Sequence, residues 1–143
     1  MGVASSMITT TEEFVSLCLS DAPEIRRRAK TEDVPESVLL EVLDKHPDLT
    51  DCVIWNNFVT LRILDMLAES PDSRVRSLVA MKNKLSPELV ERLSHDKYEA
   101  VRHSIACHRR TPEHVLLRLA KDPVRFVAEA AIKRLGGTMK AKE

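Results

Sequence analysis

His103 and Cys107 are the residues whose chemistry stands out first, because a spacing of four places both side chains on one face of a helix. Imidazole nitrogen and thiolate sulfur at this spacing are typical zinc ligands. Two ligands are too few for a site, and His95, His108 and His114 have no fixed spacing relative to this pair. We therefore expect no metal site here.

Recognisable catalytic motifs are missing from the sequence. It contains no G-x-S-x-G, no H-E-x-x-H and no glycine-rich phosphate loop. Cys18, Cys52 and Cys107 are widely spaced and form no C-x-x-C pair, which favours reduced thiols over a disulfide, zinc or iron–sulfur framework. We expect a protein that is not an enzyme and has no cofactor.

Basic side chains accumulate toward the C-terminus, although the net charge is zero. Residues 1–70 hold 6 Lys/Arg and 13 Asp/Glu, whereas residues 71–143 hold 16 and 9. This asymmetry favours an acidic partner for the C-terminal half, or weak head-to-tail self-association at low salt. The alternative is that opposite charges only keep the chain soluble. The basic residues expected to contact a partner are Arg109, Arg110, Arg118, Arg125, Lys133 and Arg134.

An internal repeat predicts the elements that position these side chains. The segments 75-VRSLVA-80, 101-VRHSIA-106 and 127-VAEAAI-132 align at intervals of 26 residues. Two earlier segments, 49-LTDCVI-54 and 25-IRRRAK-30, continue the alignment, and the interval between these two is 24 residues. The sequence therefore predicts about five repeats. We number repeat positions from the first residue of each segment, position 0: Ile25, Leu49, Val75, Val101 and Val127.

Each repeat contains two apolar patterns with helical spacing. Positions −11 and −8 predict the buried face of a first helix, and positions 0 and +4 predict that of a second helix. Glu41 interrupts position −8, where Val42 and Leu43 can replace it. The other residues at position −8 are expected to be buried: Leu17, Leu67, Leu93 and Leu119.

Capping residues support this division into helix pairs. Ser86-Pro87 and Thr111-Pro112 are typical starts of first helices, and the Ser or Asp at position −5 is expected to cap each second helix. Only 3% of the residues are aromatic and three are glycine, which disfavours a β-sandwich or barrel. The prediction is an all-α chain with repeats over residues 11–135, an N-terminal tail (1–10) and a polar tail (136–143) beginning where Gly136-Gly137 stops the last helix.

The segment 87-PELVERLSHDKYEAVRHSIA-106 resembles the HEAT-like repeats, and its short period is most similar to the leucine-rich repeat variant. The resemblance covers roughly residues 11–135 and is strongest in repeats three to five. It implies an α-solenoid with a right-handed superhelix. Some proteins with the variant repeat carry an N-terminal cysteine cluster for an iron–sulfur centre; this chain has no such cluster, so that cofactor is not implied.

The same resemblance implies a role for the arginines at position +1. Arg102 follows Asp96 by six residues, the spacing at which HEAT-like repeats pair these residues between neighbouring repeats. We expect an internal ladder, because arginine stems bury well while the guanidinium finds a carboxylate. A cationic stripe for phosphate is the alternative. The expected ladder residues are Arg26, Asp44, Arg76, Asp96, Arg102 and Asp122.

Position +6 holds Thr31, Trp55, Met81, Cys107 and Lys133. By helical angle it points away from the buried face, toward the side that lines the concave groove in HEAT-like solenoids. Trp55, Met81 and Cys107, together with His103, are therefore expected to contact a partner, since Trp and Met are favoured at interfaces. The alternative is that a neighbouring repeat buries them.

The resulting hypothesis is a non-catalytic scaffold that binds a protein or peptide. Two alternatives stay open: a nucleic-acid-binding HEAT-like protein of the DNA-repair type, for which zero net charge and few aromatics are unfavourable, and an accessory subunit of an enzyme. No run of about 18 apolar residues and no secretory leader is visible, so we expect a cytoplasmic protein without a membrane span.

Overall fold

A computed structural model of the chain describes residues 7–142, with side chains for residues 7–136. Within these residues the protein is all-helical, which confirms the all-α part of the predicted fold. The only β-type contact in this range is an isolated parallel bridge between Met7 and Asp33. Contacts divide the chain into two compact units, Met1–Leu64 and Asp65–Glu143, which we call unit 1 and unit 2.

Unit 1 contains the first two helix pairs. In the first pair α1 packs against α2, and in the second α3 packs against both a short 3₁₀ helix and α4, so the second helix of that pair is partly 3₁₀. The bounds are α1 Thr11–Cys18, α2 Pro23–Thr31, α3 Glu36–Lys45, the 3₁₀ helix Pro47–Leu49 and α4 Thr50–Trp55.

The boundary between the units falls inside α5, and the remaining helices belong to unit 2. Here the second helices of successive pairs pack on one another, α6 on α8 and α8 on α10, while α7 and α9 pack beside them. The bounds are α5 Leu61–Leu67, α6 Ser73–Ala80, α7 Pro87–Leu93, α8 Glu99–Cys107, α9 Glu113–Leu119 and α10 Arg125–Lys142.

The core follows the apolar repeat positions closely. All five residues at position −11 are buried: Phe14, Val38, Leu64, Val90 and Leu116. At position −8, Leu17, Leu93 and Leu119 are buried and Val42 is buried beside Glu41. Leu67 differs, because it is only half-buried and its neighbour Ala68 is buried.

Residues at position −5 act differently from the predicted helix caps. Ser20, Ser70, Asp96 and Asp122 each accept a hydrogen bond from the backbone N–H two residues later, so they form turns before the helix. Asp72 caps α6, whereas α2 and α8 begin after Ala22 and Tyr98 without a side-chain cap. Of the two predicted starts of first helices, Ser86 caps α7 as expected, whereas Thr111 bonds the carbonyl of Ile105.

Both predicted tails need correction within the described residues. Ile8 is fully buried and its N–H donates to the carbonyl of Asp33 at 2.9 Å, so the chain is packed from Ile8 onward. At the other end, α10 continues through Gly136-Gly137 to Lys142. Neither Gly136 nor Gly137 has a positive φ, so these two glycines occupy helical backbone rather than a left-handed stop. Residues 1–6 of the predicted N-terminal tail lie outside the described residues.

Candidate partner-binding groove

Two arginine–aspartate pairs join successive helix pairs of unit 2. Arg76 Nε and Nη2 donate to the two carboxylate oxygens of Asp96 at 2.8 and 3.1 Å, and Arg102 makes the same fork to Asp122 at 2.8 and 3.2 Å. The Arg76 and Asp96 side chains are only 8% and 9% exposed. Because bidentate geometry satisfies both groups, the pairs can be buried.

Each of these arginines also bonds to a main-chain carbonyl six residues earlier. Arg76 Nη1 donates to Ser70 at 2.7 Å and Arg102 Nη1 donates to Asp96 at 2.8 Å. Position +1 therefore closes the turn at position −5 of its own repeat and binds the carboxylate at position −5 of the next. The arginines are held inside the unit, so they are not placed as a stripe for phosphate.

The electrostatics of the two carboxylates follow from these contacts. Burial by itself raises the pKa of Asp96, but the hydrogen bonds from Arg76 and from the Tyr98 N–H outweigh it, so the pKa is lowered. The pKa of Asp122 is lowered in the same way, with Arg102 and the Val124 N–H as donors. Both aspartates are thus held in the charged form.

Arg26 and Asp44, the expected ladder residues of unit 1, are arranged differently. Arg26 Nη1 donates to the carbonyls of Ser20 and Asp21 at 2.9 and 3.5 Å, and its side chain lies at an exposed site. In unit 2 each paired aspartate follows its arginine by 20 residues, whereas the residue 20 positions after Arg26 is His46. Asp44 is exposed near the end of α3.

Residues at position +7 form a second set of hydrogen bonds between neighbouring repeats, which the sequence analysis did not identify. We call each of these side chain–carbonyl bonds a joint. Asn56 Nδ2 donates to the carbonyls of Ala29 and Glu32 at 2.7 and 3.1 Å, and Glu32 occupies position +7 of the preceding repeat. In unit 2, His108 Nε2 donates to the carbonyl of Lys82 at 2.7 Å.

Arg134 repeats this joint once more, since its Nη1 donates to the carbonyl of His108 at 2.6 Å. Asn56 and His108 are buried. The sequence did contain a signal for these bonds. Every repeat has a polar residue at position +7, and helical spacing places this position on the same face as the apolar positions 0 and +4.

Four of the predicted partner-binding residues lie together in unit 2. Met81, His103, Cys107 and Arg109 line one cavity of about 440 Å³ at the C-terminal ends of α6 and α8, which we call the groove. The Cys107 sulfur is 3.7 Å from His103 Nε2. The groove lining is completed by Ala80, Asn83, Ser104 and His108.

Apolar surface at the groove is exposed. The Met81 side chain is 55% exposed, and Phe126 on α10 is 46% exposed while its ring makes an edge contact with His103, with ring centroids 5.3 Å apart. A surface that combines apolar side chains with basic and neutral polar groups can contact both the apolar and the polar groups of a partner segment.

Trp55 belongs to another cavity. It is half-buried in unit 1 and lines a cavity of about 150 Å³ with Arg26, Lys30 and two cysteines. Of the residues predicted to form a row at position +6, Met81 and Cys107 line the groove of unit 2 and Trp55 lines a cavity of unit 1.

The predicted basic contact residues fall into two groups. Arg118 donates to Glu91 and Ser94 at 2.8 and 3.0 Å, and Arg134 is bonded to main-chain carbonyls, so both are engaged within unit 2. Arg125 is 91% exposed and pairs with Glu129 in its own helix. The remaining residues of the set are exposed: Arg109, Arg110 and Lys133.

A second cavity of unit 2, about 740 Å³, lies beside the Arg102–Asp122 pair. His95, Lys97 and Lys121 line it, but so do Asp96 and Asp122. Arg102 and Arg118 also line it, so this cavity mixes cations with carboxylates, whereas the lining of the groove contains no carboxylate.

Two further findings concern metal ions and membranes. In the part of the chain that the structure describes, no group of three or more His, Cys, Asp or Glu side chains is placed to hold a metal ion. Among residues 7–142, no helix combines the length and the apolar character needed to cross a bilayer. Comparison of the chain with protein-family models, with curated proteins and with solved structures gives no match.

Proposed function

We propose that the chain is a HEAT-like α-solenoid whose unit 2 binds an acidic segment of a partner protein in the groove. Support for the repeat comes from contacts that recur at fixed positions: Arg76–Asp96 and Arg102–Asp122 each span 20 residues, and the bonds from His108 and Arg134 each span 26. Stacked helical repeats commonly serve as binding surfaces.

The lining of the groove carries the choice of an acidic partner. Its eight residues include two histidines and Arg109 but no Asp or Glu. Arg109 and the neighbouring Arg110 are exposed. An acidic segment with one large apolar side chain fits this combination, because Met81 supplies an apolar contact and the arginines supply charge complementarity.

Peptide selection on the intact protein tests this proposal. A random-peptide phage library panned against the full chain should enrich acidic sequences that contain a large apolar residue. Arg109→Glu and Met81→Ser should each weaken binding of an enriched peptide at least tenfold, whereas the control Lys121→Glu, in the second cavity, should not. Enrichment of basic peptides, or equal binding by Arg109→Glu, would overturn the proposal.

Nucleic acid is the other partner class that the test must distinguish. Binding of random duplex DNA at two salt concentrations, weakened by Lys121→Glu but not by Arg109→Glu, would favour it over a protein partner. Peptide binding should itself depend on ionic strength, since screening acts within about 8–10 Å at physiological salt.

A further inference from the structure

Cys18 and Cys52 meet in unit 1, although 34 positions of sequence separate them. Cys18 is the last residue of α1 and Cys52 lies in α4, and both line the 150 Å³ cavity with Arg26, Lys30 and Trp55. Both thiols line this cavity, and neither is in a disulfide. Cys18 is buried and Cys52 is half-buried, so Cys52 is the more accessible of the two.

The two thiols differ in their pKa values. The S–H of Cys18 donates to the sulfur of Cys52 and lowers the pKa of Cys52 to about 7, against burial and the nearby charges of Asp51 and Asp48, which raise it. The same bond, together with burial, raises the pKa of Cys18. Near neutral pH a large fraction of Cys52 is therefore thiolate, the nucleophilic form of cysteine.

We propose that Cys18 and Cys52 form a reversible dithiol–disulfide site that is oxidised by hydrogen peroxide, with Cys52 attacking first and Cys18 resolving the intermediate. The site rests on two thiols that line one small cavity, with Arg26, Lys30 and Asp51 beside them. It is independent of the proposed groove, which lies in unit 2.

The reaction balances without any further reactant. The Cys52 thiolate attacks one oxygen of the peroxide, the O–O bond breaks, and the leaving hydroxide is protonated to water, which leaves a sulfenic acid on Cys52. The sulfur of Cys18 then attacks the sulfenic sulfur; the S–S bond forms, the S–O bond breaks, and the Cys18 proton leaves with the hydroxyl group as a second water. Two thiols are oxidised and one peroxide is reduced.

The cavity suits a small neutral oxidant. Its volume of about 150 Å³ is several times the share of one water molecule, roughly 30 Å³, so peroxide fits in it. Arg26 and Lys30 line the cavity together with Asp51, whose negative charge opposes the Cys52 thiolate. Cys107, in contrast, contacts His103 and not a second thiol.

Peptide mapping after peroxide treatment tests the site in the unaltered chain. With one equivalent of hydrogen peroxide, the protein should lose two hydrogens by mass, and digestion should yield a disulfide-linked peptide that joins Cys18 to Cys52. Reductant should restore the thiols. Oxidation of Cys107 ahead of Cys52, or conversion of Cys52 to sulfinic acid without the linked peptide, would overturn the proposal.

Variants separate the roles of the two thiols. In the Cys107→Ser background, Cys18→Ser should stop the reaction at a Cys52 sulfenic acid that dimedone captures, whereas Cys52→Ser should leave Cys18 unmodified. Equal dimedone capture at Cys18 and Cys52 would contradict the assigned order. Far-ultraviolet circular dichroism of each variant checks that unit 1 remains folded.

Alkylation kinetics provide a readout that packing alone would not change. The rate of Cys52 alkylation by iodoacetamide should rise with pH about a midpoint near 7. Cys18→Ala removes the donor and should move the midpoint upward, while Cys18→Ser keeps a hydroxyl donor and should move it less. An identical midpoint in Cys18→Ala would remove the basis for Cys52 as the attacking thiol.

Discussion

The two units differ at repeat positions +1 and −5 and agree at position +7. Unit 2 buries ion pairs, represented by Arg76 with Asp96, whereas unit 1 leaves Arg26 at an exposed site. At position +7 both units bury a side chain that donates to a main-chain carbonyl, Asn56 in unit 1 and His108 in unit 2. The interval between repeats explains the difference. In unit 2 the aspartate follows the arginine by 20 residues, but the 24-residue first interval brings Asp44 only 18 residues after Arg26. Shortening a repeat by two residues thus removes a carboxylate from its partner.

The largest expected effect comes from breaking a buried ion pair of unit 2. Asp96→Ala leaves Arg76 buried without its carboxylate, and we expect a loss of about 3–5 kcal/mol in the free energy of unfolding. Asp44→Ala, at the equivalent position of unit 1, is exposed and should change it by less than about 0.5 kcal/mol. Denaturant unfolding measures the loss of stability in both variants. Equal losses would contradict the difference between the two units at positions +1 and −5.

Core packing gives the next effect. Leu93→Ala removes a side chain that is 1% exposed and should cost on the order of 2–5 kcal/mol. Leu67→Ala, at the same repeat position, should cost less because Leu67 is half-buried. Thermal and denaturant unfolding provide the comparison; a larger loss for Leu67 would mean that the repeat register at α5 is wrong.

Asn56 tests the neutral joint of unit 1. Asn56→Ala leaves the carbonyls of Ala29 and Glu32 without their side-chain donor and should cost about 1–3 kcal/mol. Its neighbour Asn57 is exposed and bonds to Lys30 through its backbone N–H, so Asn57→Ala is the matched control. Hydrogen exchange should accelerate in unit 1 for Asn56→Ala and in unit 2 for Asp96→Ala. If hydrogen exchange accelerated equally in both units, it would contradict the view that each contact stabilises mainly its own unit.

Acid should act mainly on unit 2. The pKa values of Asp96 and Asp122 are lowered in the folded state, so their stabilising contribution is present above the ordinary aspartate value of about 3.9 and is lost as pH falls through the folded values. Circular dichroism between pH 6 and pH 2 (about these limits) should therefore show stability falling below roughly pH 4. Asp96→Asn should flatten this dependence, and Asp44→Asn should not. An unchanged profile in Asp96→Asn would contradict the assignment.

A small effect is expected for an exposed arginine. Arg92 is 48% exposed and its nearest carboxylate oxygens, on Asp65 and Glu69, are 3.7–3.8 Å away, so Arg92→Ala should cost less than about 1 kcal/mol. Arg102→Ala should cost more, because it leaves Asp122 buried without its fork. Equal losses of unfolding free energy in the two variants would favour the alternative that the arginines at position +1 bind a ligand.

Apolar periodicity was sufficient to predict the all-α class and most of the core. Position −11 is buried in every repeat because i, i+3 and i+4 spacing places it on the face that packs. The end of α10 was mispredicted, since glycine costs only about 1 kcal/mol relative to alanine in a helix and favourable neighbours can offset it.

The candidate site was predictable only in part. Four of the predicted contact residues do share the groove: Met81, His103, Cys107 and Arg109. Arg118 and Arg134 are instead hydrogen-bonded within unit 2, and a count of charges along the sequence does not reveal such bonds. The contact between Cys18 and Cys52 depends on how α1 and α4 come together, which spacing along one helix does not encode. The joints at position +7 were missed because their acceptors are main-chain carbonyls.

Those carbonyl acceptors have an evolutionary consequence. Asn56, His108 and Arg134 differ in size and charge, yet each donates to the same kind of acceptor in the preceding repeat. Every residue type supplies a carbonyl, so a mutation in the preceding repeat does not remove the acceptor, and a new donor needs one codon change. The Arg–Asp pairs require two matched changes. Position +7 should therefore drift freely among polar donors, while positions +1 and −5 should change together.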